Sequence, residues 1–419
     1  MTIKLRTLRW VILALLFGST VLNYLDRQAL TVLLPVLREE LALSTTDYGR
    51  IVTVFMLAYS VSQFGFGLVM DRFGARLGLA WAVGLWSVAA GAHAFAVGLG
   101  SLAVVRLALG LGEGGNWPGG GKAIGQWFPR ERRAFAMGVF DSGSAVGAIL
   151  APPVVSLIAW HYGWRAAFAL LGAAGLLWIA AWLVCYDDPR RHRWLSSADR
   201  AEAAGEPPAP GALGRDAVAR GLWGDARLWM LLLARAVVSP VWWFYVFWLP
   251  DYFSRGHGLA LLEIGLFGWI PFLAVDLGKL AGGAASDHLI AAGRPTVSAR
   301  KAIMVIGALT MAGGAGAGVT ESFTWALAWV CVATFGFGIW SANILALHVD
   351  VFPAGRLGTA LGVTGAAASL AGAGAAFAVG HLLDGHGYDR LFFAAGAAPL
   401  LAVTVLGFAL RQKGGQDLT

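Results

Sequence analysis

The chain has 419 residues, of which 58% are hydrophobic and only 13% charged, with 57 glycines, 19 tryptophans and a formal net charge of +7. That balance excludes an ordinary soluble globular domain and points to a polytopic membrane protein, whose glycine-rich apolar segments let helix backbones approach closely. The basic residues are spread over loops rather than massed on one face, which argues against a nucleic-acid partner, and the short alternating strands of an outer-membrane barrel do not occur.

Lys4, Arg6 and Arg9 precede an apolar run, as they would in a signal peptide. No small-residue cleavage site follows, and Asp26-Arg27 stands where one belongs, so the run is expected to remain as the first helix. Windows of about 20 apolar residues bounded by charge or turn signals give spans at 10–34, 48–70, 77–97, 99–123, 134–159, 164–186, 227–253, 262–285, 300–320, 322–348, 356–380 and 389–411. Between the sixth and seventh lies the only long polar segment, which carries Pro207, Pro208 and Pro210. The expected architecture is therefore an all-α membrane protein of twelve transmembrane helices in two pseudo-symmetric bundles of six. Residues 1–186 and 227–419 form the bundles and 187–226 a cytoplasmic linker.

Lysines and arginines concentrate on the side that carries both termini. The opposite side holds only Arg38, Arg50, Arg165, Arg255 and Arg390, which places both termini in the cytoplasm of a cell whose inner, or plasma, membrane the chain crosses. Cys185 and Cys331 fall in apolar spans without ligand or nucleophile neighbours and read as core filler. His93, His161, His348, His381 and His386 show no metal spacing, and no cofactor is expected.

The two halves echo one another. Gly67-Leu68-Val69-Met70-Asp71-Arg72-Phe73-Gly74-Ala75-Arg76 follows the second span; Gly283-Ala284-Ala285-Ser286-Asp287, with Arg294 beyond, follows the eighth. Phe128-Pro129 precedes Arg132, Ala136 and Gly138 at the same offsets by which Phe352-Pro353 precedes Arg356, Ala360 and Gly362. Duplicated halves are a common transporter plan, with the site between them.

Five basic residues lie inside or at the ends of spans: Arg27, Arg106, Lys122, Arg235 and Lys279. The acids at similar depth are Asp26, Glu113, Asp141 and Asp276. An ionised group at that depth costs roughly 2.5–3.5 kcal/mol on insertion scales, so each needs a reason to be there. For Asp26-Arg27 the functional reading is a proton site beside an anion-binding arginine; the plainer one is a neutralised structural pair. Arg106 and Glu113 are seven residues apart and share a helix face, so both can point into the bundle. They too could be a charge pair that locks one helix against another. Asp276 and Lys279, at i and i+3, are well placed to pair locally.

The Gly-x-x-x-Asp-Arg-x-Gly-x-Arg loop and its weaker echo resemble the major facilitator superfamily over almost the whole chain. Asn23-Tyr24-Leu25-Asp26-Arg27, Gly112-Glu113-Gly114-Gly115-Asn116-Trp117-Pro118 and Phe140-Asp141-Ser142-Gly143-Ser144 are similar to the anion:cation symporter family within it. Pro240-Val241-Trp242-Trp243-Phe244-Tyr245, Trp269-Ile270-Pro271 and Trp340-Ser341-Ala342-Asn343 look most like its bacterial hexuronate transporters. Asp141 stands where such relatives more often carry asparagine, and His288 where the echo of the first loop calls for an arginine.

The resemblance implies a proton-coupled importer of a sugar-acid anion such as glucuronate or galacturonate, working by alternating access and not an enzyme. Asp26 and Glu113 would carry protons and Arg27 would hold the substrate carboxylate, for which a planar guanidinium fork is suited. Protonating either acid leaves the cavity more positive, which favours taking up proton and anion together. A sugar acid also needs hydroxyl recognition, for which Tyr59, Gln63, Ser144, Trp340, Ser341 and Asn343 are candidates beside Arg106. Asp71, Arg72 and Arg76 would latch one conformation rather than touch substrate. Expected partners are the organic anion, protons and membrane lipid, with the chain as a monomer. Competing readings are a carrier of another organic anion (an aldonate, aldarate or aromatic acid) and a non-transporting nutrient sensor on the same fold. A nucleotide-driven pump is disfavoured because no phosphate-binding Gly-x-x-x-x-Gly-Lys-Ser/Thr loop occurs.

Overall fold

The computed structural model describes residues 4–204, 223–352 and 354–409. Part of the expected 187–226 linker, from residue 205 to 222, thus lies outside the described residues. The described chain is helical: α1 Leu5–Leu41, α2 Thr45–Ala92, α3 Leu99–Glu113, α4 Asn116–Trp127, α5 Arg130–Tyr162, α6 Trp164–Cys185 and α7 Ser197–Ala204. They are followed by α8 Ala226–His257, α9 Leu261–Phe267, α10 Ile270–Ala291, α11 Thr296–Ala312, α12 Phe323–Val351, α13 Ala354–His386 and α14 Asp389–Ala409. Among the described residues, ten helical stretches are long and apolar enough to cross a membrane.

Two compact units emerge. One comprises Met1–Pro210 with Phe247–Trp269, the other Gly211–Val246 with Ile270–Thr419, so α8 changes allegiance at Phe247. In the first unit, a short connection joins α1 to α2. Ala42 adopts the left-handed conformation at φ 50° and its N–H bonds back to the Arg38 carbonyl, ending α1. Ser44 then caps α2: its hydroxyl accepts from the Asp47 N–H at 3.0 Å, and the Asp47 carboxylate accepts from the Ser44 N–H at 3.2 Å. The second and third spans belong to α2, which reverses at Gly74, whose φ of 80° and ψ of 168° suit glycine alone.

The fourth span differs from its expected form. The apolar pattern runs unbroken through 99–123, yet the helix is interrupted at Gly114 and Gly115, leaving α3 and α4 each too short to span alone. Close packing explains the break. A Cβ on Gly114 would meet Ser62 at 2.7 Å, and one on Gly115 would meet Ala82 at 2.6 Å, so the backbone there is pressed between the two arms of α2. Glu113 consequently sits at a helix end inside the bundle.

The second unit packs around Met304, Met311, Trp340, Ile344 and Phe352. Its local geometry repeats that of the first. Phe128 ends α4 at φ −111°, ψ 136°, and Phe352 ends α12 at φ −106°, ψ 135°. A short 3-10 turn follows the third span at His93–Phe95, and Gly313–Gly318 does the same after α11. Gly293, at φ 88°, lies in the loop that echoes the Gly74 reversal.

Candidate functional site

The first unit gathers four intramembrane charges contributed by α1 and α3. Asp26 and Arg27 are adjacent on α1, while Arg106 and Glu113 lie two turns apart on α3, and the two arginine side chains bridge the helices. All four are buried, with Asp26 and Arg106 each 2% exposed, Arg27 1% and Glu113 0%.

Arg27 and Glu113 form the inner pair. The Nε of Arg27 donates to Oε2 of Glu113 at 2.8 Å, and its Nη2 lies 2.8 Å from the same oxygen. Nη2 also donates to Oδ1 of Asn23, one helical turn back, at 3.2 Å. The guanidinium sits over aromatic faces, 4.7 Å from the ring centre of Tyr59 and 4.8 Å from that of Tyr24. Arg106 donates from Nη1 to the Arg27 carbonyl at 3.2 Å and lies 5.7 Å from the Phe55 ring. Among the described residues neither carboxyl oxygen of Asp26 has a hydrogen-bond partner, and the same holds for Oε1 of Glu113 and for Nε and Nη2 of Arg106. The arrangement is therefore a buried charge cluster with unspent donors and acceptors, the condition expected of a site that binds or titrates rather than of a finished structural pair.

Several neighbours escape a reading of sequence alone. Asn116, at the start of α4, accepts a hydrogen bond from the Ser19 hydroxyl at 2.9 Å and donates to Thr20 at 3.1 Å, tying the far side of the helix break to α1. Asn23 is missed although its spacing of four from Arg27 places it on the same face. Asp251 is missed as well: it is 1% exposed, lies 2.9 Å from Arg38, and has Arg255 at 3.8 Å on its other oxygen. Beside it, Tyr48 donates to the Phe247 carbonyl at 2.7 Å and meets Trp248 edge-on. This cluster holds the Phe247–His257 part of α8 against α1 and α2.

The remaining candidates distribute as follows. Tyr59 is buried beneath Arg27 and stacks with Phe55 at 6.0 Å; Gln63 is one turn further along α2 and partly buried. Ser144 spends its hydroxyl on the Asp141 carbonyl at 2.7 Å. In the second unit, Trp340 is 1% exposed within the apolar core, while Ser341 is partly buried. The Asn343 amide nitrogen donates to the carbonyls of Gly282 at 3.1 Å and Ile339 at 2.9 Å, leaving Oδ1 without a partner. The side chain of Asp71 lies outside the described residues. Arg72 is exposed, and Arg76 donates to the Leu183 carbonyl at 2.7 Å. Lys122 donates to the Met70 carbonyl and Lys279 to Asp276 at 3.2 Å. Among the described residues no cluster of histidine, cysteine or acidic side chains has a metal-binding arrangement.

The model of the Major Facilitator Superfamily matches residues 16–376. The chain is 33% identical over 417 residues to the hexuronate transporter of Escherichia coli strain K12, covering 98% of this chain and 96% of that one. It is 35% identical over 283 residues to the galacturonate transporter of Dickeya chrysanthemi, covering 67% of this chain and 82% of the relative. Among solved structures, a D-xylose-proton symporter superposes with a TM-score of 0.76 at 18% identity, covering 98% of this chain and 99% of that one. A bacterial homolog of the human lysosomal transporter Spinster does so at 0.74 and 19%, covering 96% and 95%. At such identities the structural likeness carries the fold alone.

Proposed function

Since the chain belongs to the major facilitator superfamily, we propose that this membrane transporter imports a hexuronate, glucuronate or galacturonate, together with protons. The observation that carries the reading is the buried Arg27–Glu113 pair with Asp26 and Arg106 beside it. A sugar-acid carboxylate needs a fixed cation in a dry site, and Arg27 is one whose present counter-ion is itself a titratable acid. Protonating Glu113 frees the guanidinium for the substrate; returning the proton restores the internal pair and expels the anion. Asp26, with no hydrogen bond to stabilise its charge, is the second acid able to exchange a proton.

Tyr59 and Gln63 line the approach to Arg27 from α2 and supply hydroxyl recognition, with Arg106 holding the Arg27 backbone. From the second half, Ser341 and the unspent Oδ1 of Asn343 are the polar groups offered to a sugar. Asp71, Arg72 and Arg76 act at the loop between the second and third spans as a conformational latch. The halves are taken as 1–186 and 227–419, with both termini in the cytoplasm and the protein in the inner membrane. The names of the relatives, which include a D-galactonate transporter of Escherichia coli O6:H1 at 28% identity, support a sugar acid as substrate. The reading is tested with purified protein in proteoliposomes. An inward proton gradient should drive accumulation of labelled galacturonate or glucuronate, and no gradient-driven uptake across a panel of sugar acids would overturn it.

A further inference from the structure

The second unit holds an intramembrane arginine that the site above does not use. Arg235 lies on α8 roughly 14 Å from the helix start at Ala226. A charge at such depth costs a few kcal/mol unless it is compensated. Among the described residues no carboxylate pairs with it. Its protein partner is neutral: Nη1 donates to the hydroxyl of Thr364 on α13 at 2.9 Å.

The hydroxyl is itself held in place. His348, on α12, bonds through Nδ1 to the Ile344 carbonyl at 2.7 Å, an oxygen that can only accept, so Nδ1 carries the ring proton. The other ring nitrogen, Nε2, faces Thr364 Oγ1 at 3.0 Å. The neutral ring's Nε2 and the Ala360 carbonyl, 2.9 Å away, are alternative acceptors for the one Thr364 proton, and in either case the Thr364 oxygen is held where Arg235 donates to it. His348 and Thr364 are both 0% exposed, so this arrangement is built into the core and fixes one edge of the guanidinium. On the other side Gly365 follows Thr364; beyond its own helix turn and among the described residues, a Cβ built there would meet only the two terminal guanidinium nitrogens, at 3.8 and 3.9 Å. A larger side chain would occupy the space beside the charge.

We propose that Arg235, oriented by Thr364 and His348 and flanked by Gly365, is a second carboxylate-binding position for the transported acid, in the second unit. A guanidinium with one edge pinned by a neutral hydroxyl keeps its remaining N–H donors for an oxyanion, and carboxylate matches their planar spacing. Thr364 and His348 are positioning residues. The inference rests on the sugar-acid reading above, so its test separates the two.

Binding of labelled galacturonate to the purified full-length protein is measured for the wild type, Arg235→Gln, Arg235→Lys and Gly365→Val, with the melting temperature followed in parallel. The expected result is a dissociation constant raised about tenfold or more in Arg235→Gln, the scale of one charge-assisted hydrogen-bonded contact, and partly restored in Arg235→Lys. Gly365→Val keeps the charge and fills the space beside it, so it should weaken binding as well, and it decides the matter if Arg235→Gln does not fold. Affinities of Arg235→Gln and Gly365→Val within about twofold of the wild type would overturn the second position and leave the transport reading intact. A wild type that binds no sugar acid would overturn both.

Discussion

Arg27 places two nitrogens, Nε and Nη2, each 2.8 Å from one oxygen of Glu113, while the other oxygen of that carboxylate has no hydrogen-bond partner. The pair is thus close but not a symmetric fork. Its cation is engaged by an acid that can be neutralised by a single proton, and the acid sits at the helix break between α3 and α4. Binding of an external carboxylate and protonation of Glu113 are, in this geometry, two halves of one exchange.

Glu113→Gln keeps the shape and an acceptor oxygen for Arg27 but removes the titration. The variant should exchange labelled for unlabelled galacturonate at near the wild-type rate while losing accumulation driven by a proton gradient. Counterflow and gradient-driven uptake in the same proteoliposomes check this. Equal loss of both activities would make Glu113 a structural counter-ion and nothing more.

Arg27→Lys preserves the charge and loses the planar fork, along with the wide contact over Tyr24 and Tyr59. Affinity for galacturonate should fall by about tenfold, corresponding to roughly 1.4 kcal/mol. Arg27→Ala should behave differently, destabilising the fold by about 3–5 kcal/mol because it leaves a buried carboxylate unpaired. Equilibrium binding and thermal melting separate the two effects, and an Arg27→Lys protein of unchanged affinity would remove this residue from the substrate site.

Asp251 is flanked by Arg38 and Arg255, and it belongs to the part of α8 that packs with the first unit. Asp251→Asn leaves two arginines facing each other without their shared anion. The detergent-solubilised protein should lose about 1.5–3 kcal/mol, the worth of a hydrogen bond to a charged group. Adding Arg38→Gln should cost less than the sum of the single changes, since the pair is then removed together. Additive losses would mean that the two side chains act independently.

The charged members of the site are legible in sequence because Asp26, Arg27, Arg106 and Glu113 interrupt otherwise apolar runs and two of them share a helical face. The all-helical plan is legible for the same reason, from the lengths of those runs. The break at Gly114–Gly115 is not. Glycine is common throughout this chain, and only the positions of Ser62 and Ala82 across the bundle make those two glycines a site of close approach. Asp251 escapes notice because it lies two residues from the end of the 227–253 span, and only the fold sets it against Arg38 of α1. Trp340 and Asn343 illustrate another limit. A tryptophan and an asparagine in a span look equally suited to a sugar, and only tertiary packing places the first in the core and spends the amide nitrogen of the second on backbone carbonyls.

His192 gives the segment between α6 and α7 of the first unit a dependence on pH. It lies between α6 and α7, where Nε2 bonds to the Cys185 carbonyl at 3.0 Å and Nδ1 accepts the Trp194 N–H at 3.2 Å. The two bonds together require the neutral ring. Burial among Trp127 and Trp194 pushes its pKa below the ordinary imidazole value, the nearby charges of Asp187, Arg193 and Arg200 being lesser influences. A histidine whose folded pKa is depressed contributes stability above its unfolded value, and that contribution is lost as pH falls through the folded value. Acidification below about pH 6 should therefore loosen the segment 187–204, which Arg9 also holds through Glu202 at 3.4 Å. Hydrogen-exchange protection of that segment, corrected for the intrinsic rate at each pH and followed from neutral to about pH 5, should fall in the wild type and stay level in His192→Phe, which cannot titrate. Protection that does not change with pH in the wild type would show that the ring takes no part in holding the segment.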